Sequence, residues 1–281
     1  MYLSEEQIDS LLSYVGYGDF SRPDIIFLAN EGGLGDRSVE ANIMDICGPF
    51  KAKPECWVNG DGANGYWKVG EWEPGSIERV PVSPFLRLCS RMVLALEDKD
   101  SSPQKWFQRG DRSVINHVRR FLSEGGLYSN RPGIRTALLD WRPLPRNNER
   151  SPLPYENVEQ NLYLKAFNFS DNGSDNPYIS WREKRIKIFN DLFHIYPVPL
   201  VLCVGDIPAK KRLAEHIWGI REFDEIVLSP SGKKIFVSKQ KVGLGTEIVL
   251  SPFFGYEHMG YAGVRDLTAY IRENLMNENR S

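Results

Sequence analysis

The sequence predicts an α/β protein: a three-layer α/β/α sandwich around a central, mainly parallel sheet of four or five strands. Apolar runs of strand length end near Leu28, Leu139, Val204 and Leu250, and segments of helical period separate them. Strands that alternate with helices typically form a mostly parallel sheet with helices on both faces. The chain has 281 residues, of which 41% are hydrophobic, so it is long enough to bury one large core or two small ones. We expect a single domain over residues 1–281.

The predicted elements follow one another in a regular order. Ser4 is a candidate N-cap for a first helix that ends near Val15, and the first strand ends at Leu28. Apolar periodicity predicts further helices over residues 85–96, 113–122, 156–167, 181–193, 209–217 and 266–275. Apolar runs predict further strands over residues 134–141, 200–205, 235–237 and 246–250, and a Pro/Asn/Arg loop from about residue 142 to Pro154.

A Gly/Trp-rich insertion is predicted at about residues 47–84. Its glycines and prolines are typical of irregular structure, and loops of that length are usually functional or disordered. Trp57, Trp67 and Trp72 argue against disorder, because disordered segments are poor in aromatic residues. We therefore expect this insertion to be ordered and functional.

Composition excludes several classes of protein. The formal net charge is −2, so any nucleic-acid contact must come from a local basic patch. No apolar stretch reaches the length of about 18 residues that a membrane span needs, and residues 1–6 do not resemble a signal peptide. The four cysteines show no CxxC spacing, which argues against structural zinc or an iron–sulfur cluster. We expect a reduced cytoplasmic protein with free thiols, no cofactor, no metal and no membrane partner; the oligomeric state stays open.

The densest functional signal follows the first strand, in the run from Asn30 and Glu31 through Gly32 and Gly33 to Asp36. Ligands of α/β sheets bind at the carboxyl ends of strands, and glycines let backbone N–H groups approach an anion. A carboxylate in that place can orient a water molecule. The alternative is a Gly-rich turn in which Glu31 is solvated.

Four segments, in order, resemble the uracil-DNA glycosylase superfamily. They are Leu28–Gly33, Thr136–Pro152, Val201–Gly205 with the helix from Ala209, and the hairpin from Ile235 that ends at Pro252. The resemblance implies the three-layer fold, DNA as partner, and hydrolysis of the N-glycosidic bond of a base flipped out of DNA. Three departures are visible: Ser251 stands at a motif His, Ala137 stands at the base-reading Asn, and the iron–sulfur cysteines of one branch have no counterpart.

On this resemblance, Glu31 takes the place of the water-activating residue, with Asn30 beside it. Asp36 is its substitute if Glu31 points elsewhere. Gly32, Gly33, Asp36 and Ser251 are predicted to contact the substrate.

The segment after the last strand carries a candidate proton donor and a candidate wedge. His258 is its imidazole and is predicted to hydrogen-bond the departing base, the alternative being a surface or packing residue. Phe253, Phe254 and Tyr256 lie between glycines and resemble the apolar wedges that unstack bases. A buried hydrophobic corner is the alternative for these aromatic residues.

Three polar residues of the second motif complete the predicted site. Asp140, near the end of the second predicted strand, is expected to accept a hydrogen bond from an exocyclic amine of the base. Its alternative is an ion pair with Arg142 or Arg135. Arg142 and Arg146 are predicted to bind DNA phosphates from the Pro/Asn/Arg loop, or else to belong to a solvated loop.

The substrate is predicted to be a modified pyrimidine rather than uracil, because Ala137 replaces the uracil-reading Asn. A hypermodified cytosine of the kind found in phage DNA is one such base. Two other functions remain open: a non-catalytic DNA-binding protein on the same fold, and a nucleoside hydrolase or deoxyribosyl transferase. The first is distinguished by the absence of abasic sites, and the second by action on free nucleosides.

Overall fold

The computed structural model describes residues 1–34, 38–47, 77–78, 80, 83–173 and 175–276. The insertion predicted at about 47–84 lies almost entirely outside these residues, and so does Asp36. Within the described ranges, no helix is long and apolar enough to cross a lipid bilayer.

A seven-stranded mixed sheet forms the centre of the fold, in the spatial order β1-β3-β2-β4-β7-β6-β5. Its strands are β1 (Gly16–Tyr17), β2 (Ile25–Gly33), β3 (Thr136–Arg146), β4 (Leu200–Val204), β5 (Phe223–Val227), β6 (Lys234–Ser238) and β7 (Glu247–Ser251). The four inner strands, β3, β2, β4 and β7, are parallel. β1 is antiparallel to β3, and β6 is antiparallel to both β7 and β5. The α/β class is confirmed, while the sheet is larger than predicted and partly antiparallel.

Eight α-helices are present in the described ranges, and they cover both faces of the sheet. They are α1 (Glu5–Ser13), α2 (Val39–Cys47), α3 (Pro84–Glu97), α4 (Arg112–Ser123), α5 (Gln160–Phe167), α6 (Ile179–Ile195), α7 (Ile207–Trp218) and α8 (Gly260–Tyr270). Side chains alternate along β2: Ile26 and Leu28 enter a hydrophobic cluster with α1, α6 and α7. Ile25 and Phe27 enter a second cluster with α3, α4 and α8. This alternation is what a strand buried on both faces requires.

Two strands extend past their predicted ends. β2 continues from Leu28 to Gly33, and β3 continues through Pro143 and Pro145 to Arg146. Proline fits a strand only where its missing N–H is not needed, and the two-residue β1 pairs with β3 only as far as Leu139. Beyond that point β3 is bonded along one side, to β2. The predicted loop from residue 142 is therefore wrong over its first five residues.

Candidate functional site

A cluster of buried charged side chains lies where β2, β3 and β4 end. Its members are Glu31, Asp140, Arg142, Arg146, Arg185 and Lys210. Buried charges are costly unless they are paired or hydrogen-bonded, so such a concentration marks either a structural network or a functional site. The contacts of each group distinguish the two.

Glu31 is held by two arginines. Register pairs it with Arg142 across β2 and β3; Nη1 of Arg142 lies 3.0 Å from Oε2, and Nε of Arg146 donates to Oε1. All three side chains are less than 10% exposed. Glu31 is a strand residue and not part of a turn, so the solvated-turn alternative is wrong. Because both of its oxygens accept from guanidinium groups, this carboxylate fits a structural role between two strands better than activation of water.

Arg142 and Arg146 are not surface residues. Arg142 also donates to Oδ1 of Asn168 at 2.9 Å, and Arg146 donates to the carbonyl of Ser151 at 3.2 Å. Their burial follows from the extension of β3, which carries both into the interior. The expectation that they bind phosphates from a solvated loop is therefore wrong in its geometry.

Asp140 differs from Glu31 because one of its oxygens has no hydrogen-bond partner. Oδ1 is buried and unpartnered, and the side chain lines a narrow cleft. The cleft is formed by Tyr14, Tyr17, Gly32, Gly33, Asn42, Ile46, Asp140, Arg142, Pro143 and Pro145. A Cβ on Gly32 would lie only 3.3 Å from Oδ2 of Asp140, so the glycine leaves room for the carboxylate. The predicted substrate residues Gly32, Gly33 and Asp140 thus meet in one place.

Burial raises the pKa of Asp140 to about 7. The Glu31 carboxylate adds to the rise in this pKa, while Arg185 and Lys210 oppose it. A carboxyl group with a pKa near neutrality exchanges its proton under ordinary conditions, which is the property of a general base. Asp140 therefore has both the geometry and the acidity that Glu31 lacks.

This pKa predicts how the stability of the protein changes with pH. The carboxyl has a pKa of 3.8 when unperturbed and about 7 in the fold, so between these values the folded state binds the extra proton. Its contribution is present below about pH 4 and is lost as the pH rises towards 7, by up to about 1.4 kcal/mol per pH unit. Urea unfolding of the wild type and of Asp140→Asn at pH 5 and pH 8 checks this. The advantage of the wild type over the variant should shrink between the two pH values; an unchanged difference would contradict the raised pKa.

Asn42, on α2, is a cleft residue that the sequence did not reveal. Its Oδ1 is buried without a hydrogen-bond partner, and the residue lines the Asp140 cleft. Nε of Arg142, in the same cleft, is likewise buried and unpartnered. Unpartnered acceptors and donors that converge on one cleft are what a polar ligand would satisfy. In the present arrangement the cleft holds about 10 Å³ of space for water, room for about one molecule. A base can enter only if α2 or the two tyrosines move.

Asn30 lies beside Glu31 in sequence but belongs to a different cluster. Its Nδ2 donates to Glu149, and it packs with Lys210 against Gly205. Nζ of Lys210 donates to the carbonyl of Leu28 at 3.2 Å, and burial lowers the pKa of this lysine to about 8. Asn30 does not line the Asp140 cleft. The structure therefore separates Asn30 from the residues with which the sequence predicts it to act.

Arg185, which carried no signal in the sequence either, is a structural residue. Its guanidinium donates to the carbonyls of Leu12, Tyr14, Asp140 and Trp141. These bonds hold the end of α1 and the backbone of β3 around one cation. The positive charge beside Asp140 is thus fixed in place.

The segment after β7 is only partly as predicted. Ser251 is buried, and its carbonyl accepts from the N–H of Gly205 at 3.0 Å. Phe254 is fully buried against Phe27 and Phe85, so its predicted role as a wedge is wrong and the hydrophobic corner is right for it. Neither Ser251 nor His258 lines the Asp140 cleft.

Three other aromatic and imidazole side chains of this segment face solvent. Phe253 is 42% and Tyr256 is 56% exposed, and His258 is exposed with its ring edge-on to Phe253. Exposure leaves their predicted contact with DNA open. It also places them outside the buried cluster around Asp140.

Ala137 lies inside the sheet. It pairs with Ile26, is fully buried in the hydrophobic core, and is covered by Gly18, whose Cβ would lie 2.9 Å from it. It is not at the ligand-binding edge, so its identity carries no information about the base. Ala137 therefore gives no reason to set uracil aside.

Comparisons with known proteins leave this site without a precedent. No protein family matches the chain, and neither a curated protein nor a solved structure matches it. The functional interpretation rests on the geometry of the residues themselves.

Proposed function

We propose that this protein hydrolyses the N-glycosidic bond of a pyrimidine flipped out of DNA, with Asp140 as the group that activates water. The observation that carries the proposal is the buried, unpartnered Oδ1 of Asp140 in a cleft at the carboxyl end of parallel strands. That edge is where α/β sheets bind their ligands. The order of the four segments that resemble the uracil-DNA glycosylase superfamily supports the same reaction class.

The chemistry requires three groups, and the cleft offers a candidate for each. Departure of the base gives the sugar oxocarbenium character, and water then adds to C1′. The Asp140 carboxylate takes the proton of that water and offsets the positive charge, since it is ionised in a useful fraction of molecules near pH 7. The unpartnered Nε–H of Arg142 is the candidate donor to the oxygen of the departing base, in place of His258.

The remaining cleft residues suit a flat, polar ligand. Tyr14 and Tyr17 meet edge to face with ring centroids 5.5 Å apart, and both line the cleft. The unpartnered Oδ1 of Asn42 accepts from a base that carries an N–H donor, which the amine of cytosine and the imide of uracil both supply. The proposed substrate is therefore a pyrimidine, with modified cytosines included and uracil no longer set aside.

The narrowness of the cleft favours a second candidate, a hydrolase of free nucleosides. A nucleoside needs no DNA-binding surface and displaces fewer cleft residues than a nucleotide held in a strand. A DNA-binding protein without activity is the third possibility. The three differ in which substrate yields a free base.

The test is incubation of the protein with DNA containing normal, deaminated or modified pyrimidines, followed by alkaline cleavage at abasic sites. Free nucleosides are assayed in parallel for release of the base. We expect strand breaks at one class of pyrimidine and no action on nucleosides. Action on nucleosides alone would replace DNA as the substrate, and binding to DNA without any abasic site would reject the hydrolase.

A further inference from the structure

An exposed surface of arginines and aromatic rings lies beside the segment after β7. We call it the Arg–Tyr surface and define it by Arg87, Arg109, Phe253, Tyr256 and Tyr261. The rings of Tyr256 and Tyr261 are stacked, with centroids 5.9 Å apart and planes 2° from parallel. The guanidinium of Arg109 lies 4.7 Å from the centroid of the Tyr261 ring. Arg87 and Arg109 both interact electrostatically with the Tyr256 hydroxyl.

No carboxylate of the described residues neutralises the positive charge of this surface. Among the ion pairs in that part of the chain, none involves Arg87 or Arg109. Nε of Arg87 is buried and has no hydrogen-bond partner. The arginines of the Asp140 cluster differ, because Glu31 holds both Arg142 and Arg146. Of these two sets of arginines, those of the Arg–Tyr surface are the ones left for an anionic partner.

The surface is rigid. Phe253 stacks on Phe85 of α3, with ring centroids 5.6 Å apart and planes 11° from parallel, and the buried Phe254 packs against the same ring. Arg91 of α3 lies beneath Tyr261, 5.0 Å from its centroid, and donates to the carbonyls of Trp106 and Gln108. Exposed aromatic rings that are held from below lose little conformational freedom when a ligand stacks on them.

The surface begins at the same edge of the sheet as the cleft. β7 ends at Ser251, which pairs with Val204 at the end of β4, and the surface residues follow directly. The cleft lies where the neighbouring β2 and β3 end. A strand of nucleic acid that crosses this edge can therefore meet both.

We propose that the Arg–Tyr surface binds a single strand of nucleic acid without sequence preference. Arg87 and Arg109 contact phosphates, and bases stack on Phe253 and Tyr256. Charge complementarity and exposed rings between cations are the features that single-strand binding sites combine. This inference rests on the proposed function for its choice of DNA, and it assigns the phosphate contacts that Arg142 and Arg146 do not make.

Fluorescence anisotropy of a labelled single-stranded DNA oligonucleotide, measured over a range of salt concentrations, tests the inference. Arg87→Ala and Arg109→Ala should each weaken binding and reduce the slope of log K against log salt by about 0.7 for each phosphate that the variant no longer neutralises. Tyr256→Ala should weaken binding about 5- to 150-fold, the range expected for one stacked base. Arg221→Ala, an exposed arginine before β5, is the matched control and should change little.

Arg87→Lys should retain most of the salt dependence because it keeps the charge. Decreases in affinity for Arg87→Ala and Arg109→Ala no greater than that for Arg221→Ala would overturn the inference. Equal affinity for poly-glutamate, abolished by the same substitutions, would replace nucleic acid with an acidic protein as the partner. Because the assay measures binding alone, failure of base release would leave its result unaffected.

Discussion

Replacement of Asp140 by Asn is expected to abolish base release while the fold is retained. Asparagine has nearly the same shape, so the cleft keeps its form, but the amide cannot take a proton from water. Loss of a positioned general base typically lowers the rate by about 10²- to 10⁴-fold. Single-turnover measurement of base release, with the protein in excess over DNA, gives the effect on the chemical step.

Asp9→Asn is the matched control, because Asp9 is an exposed carboxylate on α1 with 73% of its side chain accessible. This variant should release the base at the wild-type rate. DNA binding by Asp140→Asn should also stay close to that of the wild type. Undiminished base release by Asp140→Asn would exclude Asp140 and return attention to Glu31 or Asp36.

Replacement of Glu31 by Gln is expected to destabilise the protein strongly. The change leaves two buried guanidinium groups, those of Arg142 and Arg146, without the carboxylate that compensates them. Removal of one partner from a buried ion pair typically costs about 3–5 kcal/mol. The free energy of unfolding in urea measures this loss.

Glu156→Gln is the control for Glu31→Gln. Glu156 pairs with the terminal amine of Met1, and 74% of its side chain is exposed, so this change should cost no more than about 1 kcal/mol. If Glu31→Gln instead kept the stability of the wild type and lost base release alone, Glu31 would be the catalytic carboxylate after all. The two variants thus separate a structural role from a chemical one.

The inner sheet was predictable because its strands are short apolar runs buried on both faces, as at Ile25–Leu28 and Leu200–Val204. The edges of the sheet were not. β1 has two residues, and β5 is largely exposed, so neither has an apolar pattern long enough to recognise. The end of β3 was predicted as a loop because Pro143 and Pro145 are typical of loops, although an edge position admits them.

The site was predicted only where position decided it. Asp140 was expected at the ligand-binding edge, because side chains at strand ends reach that crevice, and the structure places it there. The role of Glu31 was misjudged, since nothing in a sequence shows that two arginines 111 and 115 residues away hold one carboxylate. Asn42 carried no signal at all, because an asparagine within a helix is ordinarily a surface residue.

The most direct test of the central claim is quantification of free base released from DNA at pH 6 and pH 8, by wild-type protein and by Asp140→Asn. The substrate is the pyrimidine-containing DNA that the cleavage assay selects. Because the ionised Asp140 is the active form and its pKa is about 7, the wild-type rate should be several-fold higher at pH 8 than at pH 6. The variant should release almost no base at either pH. Equal release by the two proteins, or a pH dependence that the variant retains, would contradict the assignment of Asp140 as the water-activating group.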